Sequence, residues 1–312
     1  MLFSIAARKA TMKRLAADIA DTLAHAAAEN ERIWVLDGDL GDSYALYDET
    51  RQPRFPRFIQ TGIAEQTLVA TAAGLAACGQ IPWVFSFSAF LCHRAADQIR
   101  TCVAGPQLPV ILVGSHAGAS TGANGSSHAS LSDIGVLSSI GGIELWAPSD
   151  LIDVNTTIKS ILTRPRPAYL RVSREAVPQL DLPGGDIRSN GTTGDIVLLS
   201  TGLASHWARE AVYELERLGI TIPWTHIAKL DDQLLHSWIR SCPSMTHLII
   251  IEDHGPVGGL SDAVRRVSVP GLKISAMTWP RDWHGEAGSI DALRTAYGLD
   301  TATIVRSIIA SL

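Results

Sequence analysis

The sequence predicts an α/β protein of two domains, each a mostly parallel sheet covered by helices. Three observations carry that prediction. Helical and strand-like patterns alternate along nearly the whole chain. The strand-like runs are almost unbroken apolar segments, as expected of strands buried on both faces by helices. One stretch, from Glu175 to Gly194, interrupts the rhythm with Pro178, Pro183, Gly184, Gly185, Asn190 and Gly191, the composition of a connector. The expected domains are therefore residues 1–178 and 194–312, joined by a linker at 179–193.

Taken in order, Met12, Leu15, Ala16, Ile19, Ala20 and Leu23 recur at helical spacing and define one apolar face. A strand from Ile33 to Leu36 is expected next, ending in the polar loop Asp37-Gly-Asp-Leu-Gly-Asp-Ser43. An Ala-rich helix after Glu65 leads to a strand from Trp83 to Phe87, a helix from Phe90 to Val103 and a strand from Pro109 to Val113. Strands at 143–147 and 169–172, with a helix after Pro148 between them, complete the first half. The second half predicts strands at 196–199, 248–251 and 272–277, and helices at 206–218 and 262–267.

Composition narrows the function classes. Hydrophobic residues make up 46% of the chain and charged residues 18%, a balance that supports sizeable cores and argues against disorder. The net charge of −5 carries no basic run, so nucleic acid is not an expected partner. No apolar run is long enough to cross a bilayer, and Met1 to Arg8 is too short for a secretory signal. Cys78, Cys92, Cys102 and Cys242 form no CxxC pair and read as reduced thiols. A soluble, cytoplasmic protein without a membrane partner is the expectation.

In an open parallel sheet, ligands gather at the carboxyl ends of the strands. Candidates therefore follow the apolar runs: Asp37, Asp39 and Ser43, then Phe87, Phe90 and His93, then Ser115, His116 and the loop to His128, and finally Ser173 and Arg174. The most telling segment is Thr61-Gly-Ile-Ala-Glu-Gln66 before the Ala/Gly-rich run ending at Ala76. Alone, Glu65 reads as an acid in a first helical turn, where the helix dipole favours it.

The order of motifs says more. Gly62-Ile-Ala-Glu-Gln66, Ile81-Pro-Trp-Val-Phe-Ser-Phe-Ser-Ala-Phe90, Gly114-Ser-His-Ala-Gly118, Ser127-His128, Pro148-Ser-Asp150, Tyr169-Leu-Arg-Val-Ser-Arg174 and Gly285-Glu-Ala-Gly-Ser289 follow one another along the chain. This series resembles the pyrimidine-binding and C-terminal domains of the transketolase family. The resemblance implies thiamine diphosphate as cofactor. The family's Gly-Asp-Gly and Asn-Asn elements, which hold Mg2+ and the diphosphate, do not occur here. The resemblance thus implies that both groups are held by a separate diphosphate-binding subunit, in a heterotetramer with two copies of each chain.

In this family a glutamate bonds N1′ of the aminopyrimidine and so readies the ring to remove the C2 proton of the thiazolium. The resemblance gives that role to Glu65. It implies an apolar pyrimidine wall from Phe87 and Phe90 and a position near the cofactor for Asp39. His116 and His128 would face the substrate as proton-transfer or hydroxyl-binding groups, joined by Ser43 and Asn124. Arg174 would grip a sugar phosphate. No metal ligand is expected in this chain. The implied reaction moves a two-carbon ketol unit from a ketose to an aldose, both sugars or sugar phosphates.

Some positions depart from the family pattern. Met12 stands where an arginine helps bind the acceptor phosphate, Asn124 replaces an aspartate that senses the donor hydroxyl, and Ala129 replaces a glutamine. An altered sugar is the expectation. A deoxyxylulose phosphate synthase-like subunit, a 2-oxoacid dehydrogenase beta-like subunit and a non-catalytic scaffold stay open at this point. Ser115-His116 and the second histidine favour transketolase chemistry over the first two, and retention of Glu65 and Arg174 argues against the third.

Overall fold

The computed structural model describes residues 13–191, 194–283 and 286–312. Met12 and Gly285, both used above, lie outside them.

The chain opens with the short strand β1 (Lys13–Arg14) and helix α1 (Leu15–Glu29), then β2 (Ile33–Asp37), β3 (Phe58–Gln60), α2 (Glu65–Ala77) and β4 (Ile81–Phe87). Next come α3 (Ser88–Arg94), the single turn α4 (Ala96–Gln98), β5 (Ile111–Ser115) and α5 (Asp133–Ile140). Elements β6 (Glu144–Trp146), α6 (Leu151–Thr163), β7 (Ala168–Arg171) and β8 (Ala176–Val177) end the first half. The second half holds β9 (Ile187–Ser189), β10 (Ile196–Ser200), α7 (Ala204–Arg217), β11 (Trp224–Ile227), α8 (Asp232–Arg240) and β12 (His247–Ile251). It closes with α9 (Leu260–Val267), β13 (Lys273–Met277), α10 (Ile290–Ala296) and α11 (Thr301–Ile309).

Six strands form the first sheet in the order β3-β2-β4-β5-β7-β6, and every neighbouring pair runs parallel. All residues of β4 and β5 are buried, which is why these strands read as continuous apolar runs rather than as alternations. The faces still separate with period two. Val35, Trp83 and Val113 pack with Ile19 and Leu23 of α1 and Ile158 of α6. Leu36, Val84 and Leu112 pack on the opposite side with Leu68, Val69 and Ala72 of α2.

The second sheet has the order β13-β12-β10-β11-β9. It is parallel except for β9, which runs antiparallel to β11. One face is covered by Trp238 of α8 and Val264 of α9. The other carries Leu198, Trp207 of α7 and Ile308 of α11, which belong to the same hydrophobic cluster as α1 and the first sheet. The two halves thus share one core.

Part of the stretch expected to link the halves is the edge strand β9, and Arg188 within it is fully buried. Its Nη1 donates to Oδ1 of Asp150 at 2.8 Å and of Asp153 at 2.9 Å. The remaining donors reach the carbonyls of Pro183, Leu182 and Leu180. A buried charge needs such saturation. The helix expected over Phe90–Val103 is also interrupted. It ends at Arg94, Ala95 takes φ −101° and ψ 16°, and the chain then widens into a π-helical turn at Ile99–Ala104.

Candidate active site

Because the strands are parallel neighbours, the carboxyl ends of β2, β4, β5 and β7 lie on one edge of the first sheet. The register of β4 on β5 pairs Phe87 with Ser115 and so sets Phe87 beside His116. Their ring centroids are 4.2 Å apart. Phe90, three residues along α3 on the same face, lies 5.8 Å from Phe87. His128 completes the group, 5.1 Å from Phe90 and 5.8 Å from Phe87. Four of the site residues expected from sequence therefore form one aromatic cluster, drawn from three separate segments.

His116 adopts φ 55°, a left-handed conformation that costs a side chain with a Cβ and that persists only where the surroundings enforce it. Oγ of Ser115 sits 2.9 Å from its Nδ1. Burial, reinforced by the charges of Arg174, Arg14 and His128, pushes the imidazole down to about 4. Near neutral pH the ring therefore holds one donor and one acceptor nitrogen. His128 is half-buried, and its Nδ1 lies 2.8 Å from Oγ of Ser127.

Glu65 is the first residue of α2 and is 1% exposed. Gly62, at φ 70°, makes the turn that brings the chain from β3 into this helix. Ser86, a polar residue in the apolar strand β4, donates from Oγ to Oε1 of Glu65 at 3.2 Å. Arg94, the last residue of α3, donates from Nη1 to Oε2 at 2.5 Å. Its guanidinium carbon lies 4.6 Å from the centroid of Phe90.

Asp39 and Ser43 line a separate cleft of about 220 Å3 with Asp37, Gly41, Tyr47 and Gln60. Asp37 organises that loop. Its carboxylate accepts from the backbone N–H of Leu40 and Gly41 and from the side chains of Tyr47 and Gln60. Burial nonetheless lifts its pKa above the ordinary carboxylate value. Asp39 follows at φ 68° and is exposed. Asn124 is exposed at the end of the 3-10 turn Gly122–Asn124. Arg174 is exposed as well, and its backbone N–H donates to Oγ of Ser120 at 3.2 Å.

Sequence reasoning missed Tyr44, Ser86 and Arg94. The hydroxyl of Tyr44 accepts from Ser115 N at 2.7 Å and lies 2.6 Å from Ser86 O and 2.9 Å from Val113 O, so it ties β4 to β5 directly beneath the cluster. A tyrosine in a polar loop gives no sign of this. Ser86, alone among apolar neighbours, was a visible signal.

The second half clamps the loop that follows β5. Gly118 has φ 71°, and a Cβ there would collide with the carboxylate of Asp253. Oδ1 of Asp253 accepts from Trp279 Nε1 at 2.6 Å and from Ala119 N at 3.2 Å. Arg171 joins the two halves, donating from Nε to Asp133 at 2.9 Å and from Nη2 to the carbonyl of Asp253 at 2.6 Å. Near the segment resembling the family's C-terminal domain, Gly288 N donates to Gly122 O at 3.2 Å.

A buried carboxylate at a helix start, beside a phenylalanine wall, fits an aminopyrimidine that presents an N–H. Among the described residues no group of three or more His, Cys, Asp or Glu is placed to hold a metal ion, and no helix is long and apolar enough to cross a membrane.

Comparison with known proteins gives the family. Residues 13–179 match the family model for the transketolase pyrimidine-binding domain. A 6-deoxy-6-sulfo-D-fructose transketolase subunit from Clostridium sp. (strain MSTE9) is 30% identical over 300 residues, covering 92% of this chain and 91% of its own. An apulose-4-phosphate transketolase subunit from Actinobacillus succinogenes is 29% identical over 266 residues, covering 80% of this chain and 84% of its own. A split-gene transketolase solved as an inactive beta4 tetramer superimposes with a TM-score of 0.78 at 28% identity, covering 94% of this chain and 96% of that one. The chain belongs to the transketolase family, through its pyrimidine-binding domain.

Proposed function

We propose that this chain is the pyrimidine-binding subunit of a two-subunit transketolase, moving a two-carbon ketol unit between sugars or sugar phosphates. The observation that carries the reading is the buried Glu65 carboxylate facing the same strand ends as the Phe87–Phe90–His116–His128 cluster. Relatives named as separate transketolase subunits support the split arrangement.

Thiamine diphosphate, when bound, supplies an electron sink beside a carbonyl carbon. The chain's own residues do the rest. Glu65 holds or releases the proton at N1′, with Ser86 orienting one carboxylate oxygen. Phe87 and Phe90 keep water from the pyrimidine face, which strengthens the carboxylate contact. His116, neutral and held by Ser115, exchanges hydrogen bonds with a substrate hydroxyl, and His128 faces it across Phe87. Arg174, exposed at the mouth, suits an anionic substrate end. Asp39 at the cofactor and Ser43 and Asn124 at the sugar are assigned by the family resemblance, since Asp39 and Ser43 line their own cleft and Asn124 is exposed. Mg2+ and the diphosphate fall to the partner subunit, which makes a heterotetramer with two copies of each chain the working form.

Calorimetric titration of thiamine diphosphate with Mg2+ into this chain alone, and into its mixture with a diphosphate-binding subunit, tests the proposal. Binding in the mixture alone is expected. Tight binding by the isolated chain refutes the placement of the metal site.

A further inference from the structure

The contacts of Arg94 extend this reading, and the inference rests on the assignment of Glu65 made above. Arg94 ends the helix that starts immediately after Phe87, so its side chain reaches back over the pyrimidine wall. One guanidinium nitrogen bonds the buried Glu65 carboxylate at 2.5 Å, while the guanidinium carbon stands 4.6 Å from the centre of the Phe90 ring. A protonated aminopyrimidine needs the same two surfaces, since it too is planar and cationic and presents an N–H. Both cations compete for one carboxylate oxygen and one aromatic wall.

The two partners differ in freedom. The side chain of Glu65 is 1% exposed and that of Arg94 is 45% exposed, so of the two the guanidinium has the open side into which it can swing. Asp97, on the turn after the break at Ala95, has a side chain 66% exposed and already accepts from Arg100 at 2.7 Å, so a displaced guanidinium would share that carboxylate or stand in solvent. A buried carboxylate without a counter-charge is costly, which gives the free chain reason to keep Arg94 in place.

We infer that Arg94 is a displaceable occupant of the aminopyrimidine site, covering Glu65 in the free chain and swinging outward when the cofactor docks. Cofactor affinity is then lowered by the fraction of time the guanidinium is in place. The ion pair safeguards the buried carboxylate before assembly and sets a threshold on cofactor capture.

Calorimetry on the complex of this chain with the diphosphate-binding subunit separates the possibilities, using R94A and R94Q. The displaceable occupant predicts a dissociation constant for thiamine diphosphate, with Mg2+, lowered by about tenfold in both variants. The cofactor concentration giving half-maximal turnover falls in step. A residue that merely positions Glu65 predicts the reverse, so unchanged, weaker or absent binding in the variants overturns the inference. E65Q distinguishes this failure from failure of the underlying assignment. If E65Q keeps normal turnover, the role of Glu65 falls and the inference with it. If E65Q loses turnover while R94A leaves the dissociation constant unchanged, only the inference about Arg94 falls.

Discussion

Arg188 bonds none of the candidate site residues, yet the structure makes it a stringent test of how the halves are joined. It is fully buried, and its fork of donors reaches Asp150, Asp153 and three carbonyls. Asp153 also faces His226 Nε2 at 2.9 Å and accepts from Ser149. Burial alone would raise the Asp153 carboxyl, but His226 and Arg188 hold it well below the usual carboxylate range. Alanine at position 188 removes the cation and leaves two acidic groups in a dry interior. Losing one partner of a buried pair costs about 3–5 kcal/mol, a large part of the ~5–15 kcal/mol that holds a typical protein folded. With a urea slope of about 3 kcal/mol/M or somewhat more for a chain of this size, the unfolding midpoint should fall by on the order of 1 M. Lysine at the same position restores charge without the planar fork and should fall between alanine and wild type. As a control, R217A disrupts a pair whose side chains are 76% and 49% exposed and should not measurably move the midpoint. A midpoint for R188A equal to that of R217A would refute the reasoning.

Two further predictions follow from the buried titratable groups. His116, pushed down to about 4, should show no ring titration above about pH 5.5 in NMR spectra of the isolated chain; a midpoint near the ordinary histidine value would sink the proposed neutral role. Asp253 is lifted by burial, against the pull of Arg171, to about 6. The folded chain thus binds this proton more tightly than the unfolded chain, so its stabilising contribution is full below about pH 4 and is lost as pH rises through about 6. The unfolding free energy of wild type minus that of D253N, from denaturant titrations, should therefore decline across that window by on the order of 2–3 kcal/mol, and a flat difference would contradict the assignment.

The pattern of buried strands was legible in the sequence because a parallel strand covered on both faces has no polar side to show, as in β4 and β5. The order of chemical motifs was legible for a related reason: in a parallel sheet each strand delivers its following loop to the same edge. Periodicity also placed α1, where buried Ala16, Ile19, Leu23 and Ala27 recur every three or four residues. Short elements escaped. Strand β3 has three residues and no fully buried one, and β9 sits within a run of prolines and glycines.

Only the tertiary structure decided which of the candidate residues meet. The ring cluster depends on the register that pairs Phe87 with Ser115, and register is a property of two strands rather than of one. The Arg94–Glu65 pair joins the end of α3 to the start of α2, with β4 between them in the chain. The clamp of Asp253 on Gly118 crosses from the second half to the first. Periodicity and composition act over a few residues, where the backbone geometry of one element sets spacing. Distances between loops are set by the packing of whole elements, and no local pattern encodes them.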